Sequence, residues 1–316
     1  MTVTPRWIAG RGGALLITVL MGSVIVYGAM YLAPGDPAAL LVGGSKPSPE
    51  ALAAVHREFR LDDPLWLRYW RWLTGVLQGD LGVSIANRAP VSQLVAGRIG
   101  NSVFLVAYAS VFTIAGGLAL GATAGWRGGR AAAVNTAVTS VLMAAPTFAV
   151  AVVLITVFAS GLGWFPVYGA GSGLIDRLWH LTLPAVSLGF AWLAYVANLS
   201  QESTRKEARA EHVETARSRG LGEMSILRRH VLRNASGTLL TVSGVSVAGM
   251  FASTAVAEQA FGIDGIGALL VRSAARQDVV VVQAIALILI VAFVTLNTLV
   301  DVISALLDPR LRAGVS

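Results

Sequence analysis

Long apolar runs dominate the pattern along the chain, at Ala14–Leu32, Ser102–Ala124, Val138–Ser160, Leu178–Leu199, Thr238–Ala257 and Val279–Ala305. They neither alternate with the period of a strand nor confine their apolar residues to one helical stripe. Continuous runs of roughly 18 or more such residues read as helices that cross about 30 Å of hydrocarbon. The pattern therefore predicts an all-α, polytopic membrane bundle of six transmembrane helices. The first run follows Arg6 and Arg11 and so resembles a secretory signal. It is longer than the usual core of about 7–15 residues and no A-x-A site follows it, so it is read as the first span.

Composition agrees with this reading. The chain is 55% hydrophobic and 13% charged, against about a quarter charged in soluble domains. It contains no cysteine, which excludes disulfides, thiolate metal sites and cysteine nucleophiles. A net charge of +7 raises the question of nucleic acid, but excess Lys and Arg in a membrane chain mark its cytoplasmic loops. With the N-terminus inside, the cytoplasmic segments hold Arg6, Arg11, Arg127, Arg130, the basic group from Arg205 to Arg233, Arg310 and Arg312. The short outer loops hold Arg177, Arg272 and Arg276. The long segment from Ala33 to Arg98 contains seven more Lys or Arg, but loops of that length translocate largely regardless of charge. Both termini are predicted to be cytoplasmic, in a chain that meets lipid and not nucleic acid.

The predicted organisation is a cytoplasmic N-terminus and first span (1–32), an extracytoplasmic segment (33–101), a core of five spans (102–306) and a cytoplasmic tail (307–316). Trp66, Tyr69, Trp70 and Trp72 place the extracytoplasmic segment on the outer membrane surface, because aromatic rings favour the headgroup level. Pro34-Gly35-Asp36-Pro37 forms a turn that stops the first helix. Pro146 and Pro184 are expected to kink the third and fourth spans, at a translocation path or simply through bundle packing. Gly116, Gly117, Gly121 and Gly125 read as a surface for close helix packing.

The most informative stretch is the polar insertion from Gln201 to Asn234, part of a cytoplasmic loop of about residues 201–236. Glu207, Glu211 and Glu214 precede Arg217 and Arg219, so a short helix here carries acids near its N-terminus and bases near its C-terminus, matching the macrodipole. Gly220 suits the left-handed turn that ends it. Ile226 to Asn234 mixes apolar and basic residues in a second short helix. On charge alone, the pair is a solvated surface touching anionic headgroups.

Glu214-Thr215-Ala216 followed by Gly220 resembles the E-A-A-x-x-x-G signature of importer permeases of the ATP-binding-cassette class. His230-Val231-Leu232-Arg233-Asn234 is similar to the form found in the dipeptide, oligopeptide and nickel branch. Further motifs follow in family order: Pro34-Gly35-Asp36-Pro37, Gly79-Asp80-Leu81-Gly82 with Ser84, Leu183-Pro184-Ala185, Glu258 with Phe261-Gly262-Ile263, and Leu307-Asp308-Pro309-Arg310. The large outer segment resembles the first, B-type, permease subunit of that branch. Asp264 and Val280 stand where the branch often has proline, which leaves open the shape of the last outer loop.

The resemblance implies the type I importer permease fold, with a coupling helix that seats in a cleft of a cytoplasmic ATPase. On that reading Glu214, Thr215, Ala216 and Gly220 carry the contact, Arg217 and Arg219 flank it, and the small residues keep one face thin enough to enter a groove. Neither Lys46 nor Lys206 sits in a phosphate-binding loop, so ATP belongs to the partner, and no cofactor or metal is expected here. The implied partners are a second permease forming a heterodimer, one or more ATP-binding subunits and an extracytoplasmic solute-binding protein that delivers di- or oligopeptides. The implied location is a bacterial-type inner membrane. Asn198, Gln283 and Asn297 are candidates to line the path, since polar side chains within a membrane are costly and often functional. Glu258 and Asp301 lie near span ends and read as solvated at the interface.

Other readings stay open at this point. An intramembrane hydrolase needs a nucleophile and base at one depth, and Ser246 has none of His56, His180, His212 or His230 at its level, while Asp301 lacks an aspartate partner. A secondary transporter would show internal repeats, and none is evident. Nickel or another metal complex is an alternative cargo within the same family, though four scattered histidines form no chelating cluster.

Overall fold

The computed structural model of the chain describes residues 5–32, 48–50, 53 and 63–307. The Pro34-Gly35-Asp36-Pro37 turn, Lys46, His56, Asp308-Pro309-Arg310 and Arg312 lie outside the described residues. The helices are α1 (Pro5–Leu32), α2 (Leu65–Leu77), α3 (Val91–Arg127), α4 (Gly129–Ala144) and α5 (Thr147–Leu154), which runs on as a π-helical turn, Ile155–Gly161. They continue with α6 (Leu174–Ala208), α7 (Glu211–Ser218) and α8 (Glu223–Ile226). A second π-helical turn, Leu227–Leu232, leads into α9 (Arg233–Ala260), followed by α10 (Ile266–Ala275) and α11 (Val279–Leu307).

Among the described residues, five helices are long and apolar enough to cross a membrane, and the sixth predicted span is a bent pair. The expectation of one helix over Val138–Ser160 is corrected here: α4 and α5 meet at 94°. Pro146 is the cause. The residue before a proline is pushed out of the helical region, and Ala145 accordingly sits at φ −78, ψ 120, with Pro146 extended as the N-cap of α5. Pro184, by contrast, lies within the continuous helix α6. The second and fourth spans are longer than hydropathy predicts. At about 1.5 Å per residue, α3 with its 37 residues runs roughly 55 Å and projects beyond the hydrocarbon. Arg98 and Asn101 interrupt the apolar run there without interrupting the helix.

Glycine sets the central packing. An added Cβ at Gly117 would lie 2.7 Å from Val196, at Gly121 2.3 Å from the Ala197 carbonyl, and at Gly125 2.5 Å from the Gln201 carbonyl. The α3 and α6 backbones therefore touch along three successive turns, as small residues permit in membranes. On another side of α6, Asn135 donates to Gln201 at 2.9 Å and Thr139 to Asn198 at 2.6 Å, a polar ladder that holds α4. Helix α1 lies antiparallel to α11: Arg11 pairs with Asp301 at 2.6 Å and Gly22 faces Ile290. Near its other end, the Ser23 hydroxyl and the Tyr69 hydroxyl are 2.8 Å apart, and Tyr27 packs edge-on to Tyr69, so α2 is fastened to α1 while Trp66 and Trp70 stay exposed.

Candidate functional site

Helix α7 carries the sequence signature. Its inner face is Val213 and Ala216, buried with Ile226 and Val231 against Trp126 at the end of α3. Ala216 is only 4% exposed, which corrects the expectation that it thins an outward face: its methyl is consumed inside the chain, where a larger side chain would push α7 off the bundle. Glu214, Thr215, Arg219 and Gly220 are exposed. Gly220 has φ +78, the left-handed conformation of a helix-ending glycine, and its N–H returns to the Arg217 carbonyl at 2.9 Å.

Arg217 faces inward more than outward in its bonding. Its Nε and Nη2 donate to the two Glu223 oxygens at 3.0 and 3.3 Å, and its guanidinium lies 5.4 Å from the Trp126 ring centre. The hydrogen bond to Glu223 raises its pKa above the ordinary value; burial opposes this, and attraction from Glu223 and Glu214 adds to the rise. This brace ties α7 to α8 and to the end of α3.

The opposite end of α3 meets α10. Glu258 is fully buried rather than solvated at an interface, which overturns the sequence expectation. Ser102 donates to its Oε1 at 2.6 Å and the Ala268 N–H to its Oε2 at 2.8 Å, while the Ser102 hydroxyl accepts from the Ile266 N–H at 2.9 Å. The Glu258 carboxyl and the Ser102 hydroxyl thus each take one otherwise orphaned N–H of the first turn of α10, where the helix dipole also favours a carboxylate. Gly265 is required there, because a Cβ would stand 2.2 Å from the Glu258 carboxyl carbon. Asp301 is one-third exposed and paired with Arg11.

The candidate path residues do not converge. Asn198 accepts from Thr139 in the ladder between α4 and α6. Asn297 donates to the Phe293 carbonyl of its own helix at 2.9 Å. Gln283 is buried, and its Nε2 lacks a partner. Ser246 is buried and donates to the Ser243 carbonyl, one turn back in its own helix.

Residues 117–313 match the family of binding-protein-dependent transport system inner membrane components, and residues 5–105 match the N-terminal region of such membrane components. The chain belongs to this family. It is similar to the glutathione transport system permease protein GsiC of Salmonella paratyphi A, 33% identical over 299 residues that cover 94% of this chain and 96% of that protein. It is also similar to the probable peptide ABC transporter permease protein y4tP of Sinorhizobium fredii, 30% identical over 313 residues covering 97% and 99%. This permease is therefore a multi-pass inner membrane component of an ATP-binding-cassette importer, with the type I permease fold of the dipeptide and oligopeptide branch. It is the permease component of such a system.

Several long-range contacts of the permease escaped sequence reasoning. Asp278, 1% exposed, accepts from the Ser84 hydroxyl at 2.5 Å and from the Ala86 N–H at 3.1 Å, which fastens the segment after α2 to the start of α11. Ser84 was visible in its motif, but nothing local to Asp278 announces a partner 194 residues away. Val280, where the branch often has proline, packs against Gly82 at this junction. Asp264, at the other departure, accepts from Arg98 Nε at 2.9 Å and Arg272 Nη2 at 2.5 Å.

Proposed function

We propose that this permease carries short peptides, with glutathione and its relatives within the class, from an extracytoplasmic binding protein to the cytoplasm, coupled through α7 to a separate ATPase. The observation that carries the reading is the seating of α7. It is a short helix beyond the spans, fixed by its inner face to the end of α3, with Glu214, Thr215, Arg219 and Gly220 left on the surface. A helix so held transmits motion in both directions, and an exposed acid and base orient it in a groove of complementary charge. ATP would bind the ATPase alone, and this chain would need no cofactor of its own. ATP-driven closure of that partner would then rock the permease between inward-open and outward-open states.

The same reading places α7 and both termini in the cytoplasm and α10 outside, consistent with the pairing of Arg11 near one terminus with Asp301 near the other. A second, different permease chain would complete the pathway. The cargo class follows from the relatives that carry glutathione and peptide names.

The test is co-purification with the ATPase and second permease, comparing wild type with Glu214→Lys and Arg219→Glu. The expected result is loss of ATPase association or of ATP-driven peptide uptake, with normal membrane insertion. Unchanged association and uptake in both variants would remove α7 from the coupling role and leave it a lipid-facing surface.

A further inference from the structure

Three guanidinium groups from three helices meet at the α10 end of the bundle with one carboxylate among them. Arg98 of α3 and Arg272 of α10 both donate to the same oxygen of Asp264. Arg177 of α6 donates through Nη2 to Asn101 Oδ1 at 2.8 Å and lies 4.6 Å over the Phe104 ring. Asn101 in turn donates to the Asp264 carbonyl at 3.0 Å, which links the three arginines into one cluster. The nearest acid in sequence, Asp176, is committed to the Ser172 N–H and to His180.

The cluster faces the bundle rather than the lipid. On α3, Arg98 continues the inward stripe of Val91, Val95, Ser102 and Leu105, whereas Ile99 and Val103, 37% and 49% exposed, mark the outward side. Its side chain is 24% exposed and those of Arg272 and Asp264 are 40% and 56% exposed, so the cluster is covered on the Arg98 side and open to water on the α10 side. Each guanidinium carries five N–H donors in a fixed fork, and the contacts above use only part of them. Within the cluster three guanidinium groups share one side-chain carboxylate, that of Asp264, because the neighbouring Glu258 and Asp176 carboxylates are bonded elsewhere, and the cost of keeping like charges together falls when a second anion arrives.

We propose that Arg98, Arg177 and Arg272 form a subsite for the carboxylate of a transported peptide at the outer mouth of the path. Asp264 serves as the resident counter-ion that orders the arginines while the site is empty. The ligand is a compact carboxylate end, because the planar guanidinium fork matches the two oxygens of a carboxylate. This inference rests on the peptide-importer reading and on the orientation that places α10 outside.

The test uses the purified transporter, with its ATPase and second permease, trapped outward-facing with ATP and vanadate. Arginine modification by phenylglyoxal is mapped by mass spectrometry at Arg98, Arg177 and Arg272, in the presence of millimolar tri-alanine, tri-alaninamide, or the peptide-free binding protein. The expected result is that tri-alanine slows modification at these positions severalfold and the amide does not. The same protection should weaken roughly tenfold in Arg177→Gln, the loss of one charge-assisted hydrogen bond. Equal protection by acid and amide, or none by either, overturns the subsite. Protection by the peptide-free binding protein alone also overturns it, assigning the cluster to docking of that protein. ATP-driven uptake by the same preparation is scored separately, so a failed subsite and a failed importer reading give different results.

Discussion

The Ser102→Ala substitution isolates the contact that holds α10 to the bundle. The Ser102 hydroxyl gives one hydrogen bond to Glu258, at 2.6 Å, and receives one from the Ile266 N–H, at 2.9 Å, in a site where Ser102 and Glu258 are both fully buried. Removing it deletes a hydrogen bond to a carboxyl oxygen, worth about 1.5–3 kcal/mol, and strands a buried backbone N–H, which costs about 1–3 kcal/mol. The small void adds little, so the expected loss is about 3–5 kcal/mol. That loss is concentrated locally, because Ala268 still donates to the other Glu258 oxygen.

Hydrogen exchange on the detergent-purified complex reads this directly. Amides over residues 263–270 should exchange at least a hundredfold faster than in wild type, while those in the middle of α3 and α6 stay protected. The apparent Tm should fall as well. Exchange over 263–270 within threefold of wild type would refute the reasoning, since it would mean that the first turn of α10 does not depend on this hydroxyl.

Three further outcomes follow from other contacts. Gly121→Val should force α3 and α6 apart, because even a Cβ would stand 2.3 Å from the Ala197 carbonyl; overpacking of this kind costs about 1–3 kcal/mol or more, read as a lower Tm and poorer yield of the folded chain. Asp278→Ala should free the turn at Ser84–Asn87, seen as faster proteolysis there with little change in the bundle, at a cost of about 2–3 kcal/mol for stranded buried donors. Arg217→Glu should set two acids against each other at the α7–α8 brace and raise exchange of residues 211–218 severalfold. Adding Glu223→Arg should restore protection, and failure of the swap to rescue would mean that the pair does not hold α7.

The helices were legible where a single physical signal dominates. Continuous apolar runs located the spans, and the order acid, small residue, base, glycine located α7, whose end is fixed by the positive φ of Gly220. The bend at Pro146 was underestimated because hydropathy averages over it, while the steric exclusion before proline acts on one residue, Ala145. Polar residues were harder to read. Sequence reasoning treats a carboxyl near a span end as solvated, but Glu258 and Asp278 are buried by partners far away in the chain, Ser102 and Ser84. Such pairings are properties of the tertiary arrangement, and no local pattern encodes them. Ala216 failed for the same reason: a small residue on a short helix fits an external groove or an internal one, and only the position of Trp126 decides.

The two ends of the molecule that carry the proposed coupling and carboxylate sites are joined by one helix. From Arg98 to Trp126, α3 is unbroken and spans about 42 Å at 1.5 Å per residue. At one end it contributes Arg98 and Asn101 to the cationic cluster and Ser102 to the support of α10; at the other, Trp126 seats α7 and lies beneath Arg217. Between them the backbone contacts at Gly117, Gly121 and Gly125 lock α3 to α6, which itself carries Arg177 into the same cluster. Interfaces packed at this density slide or stay, and do not deform smoothly. A displacement of α7 therefore moves α3 and α6 together and reaches the arginines as a change in their position relative to α10. The buried Glu258 contact fixes where that change is resisted, so the geometry couples the position of α7 to the shape of the arginine cluster without any residue in between having to bind cargo.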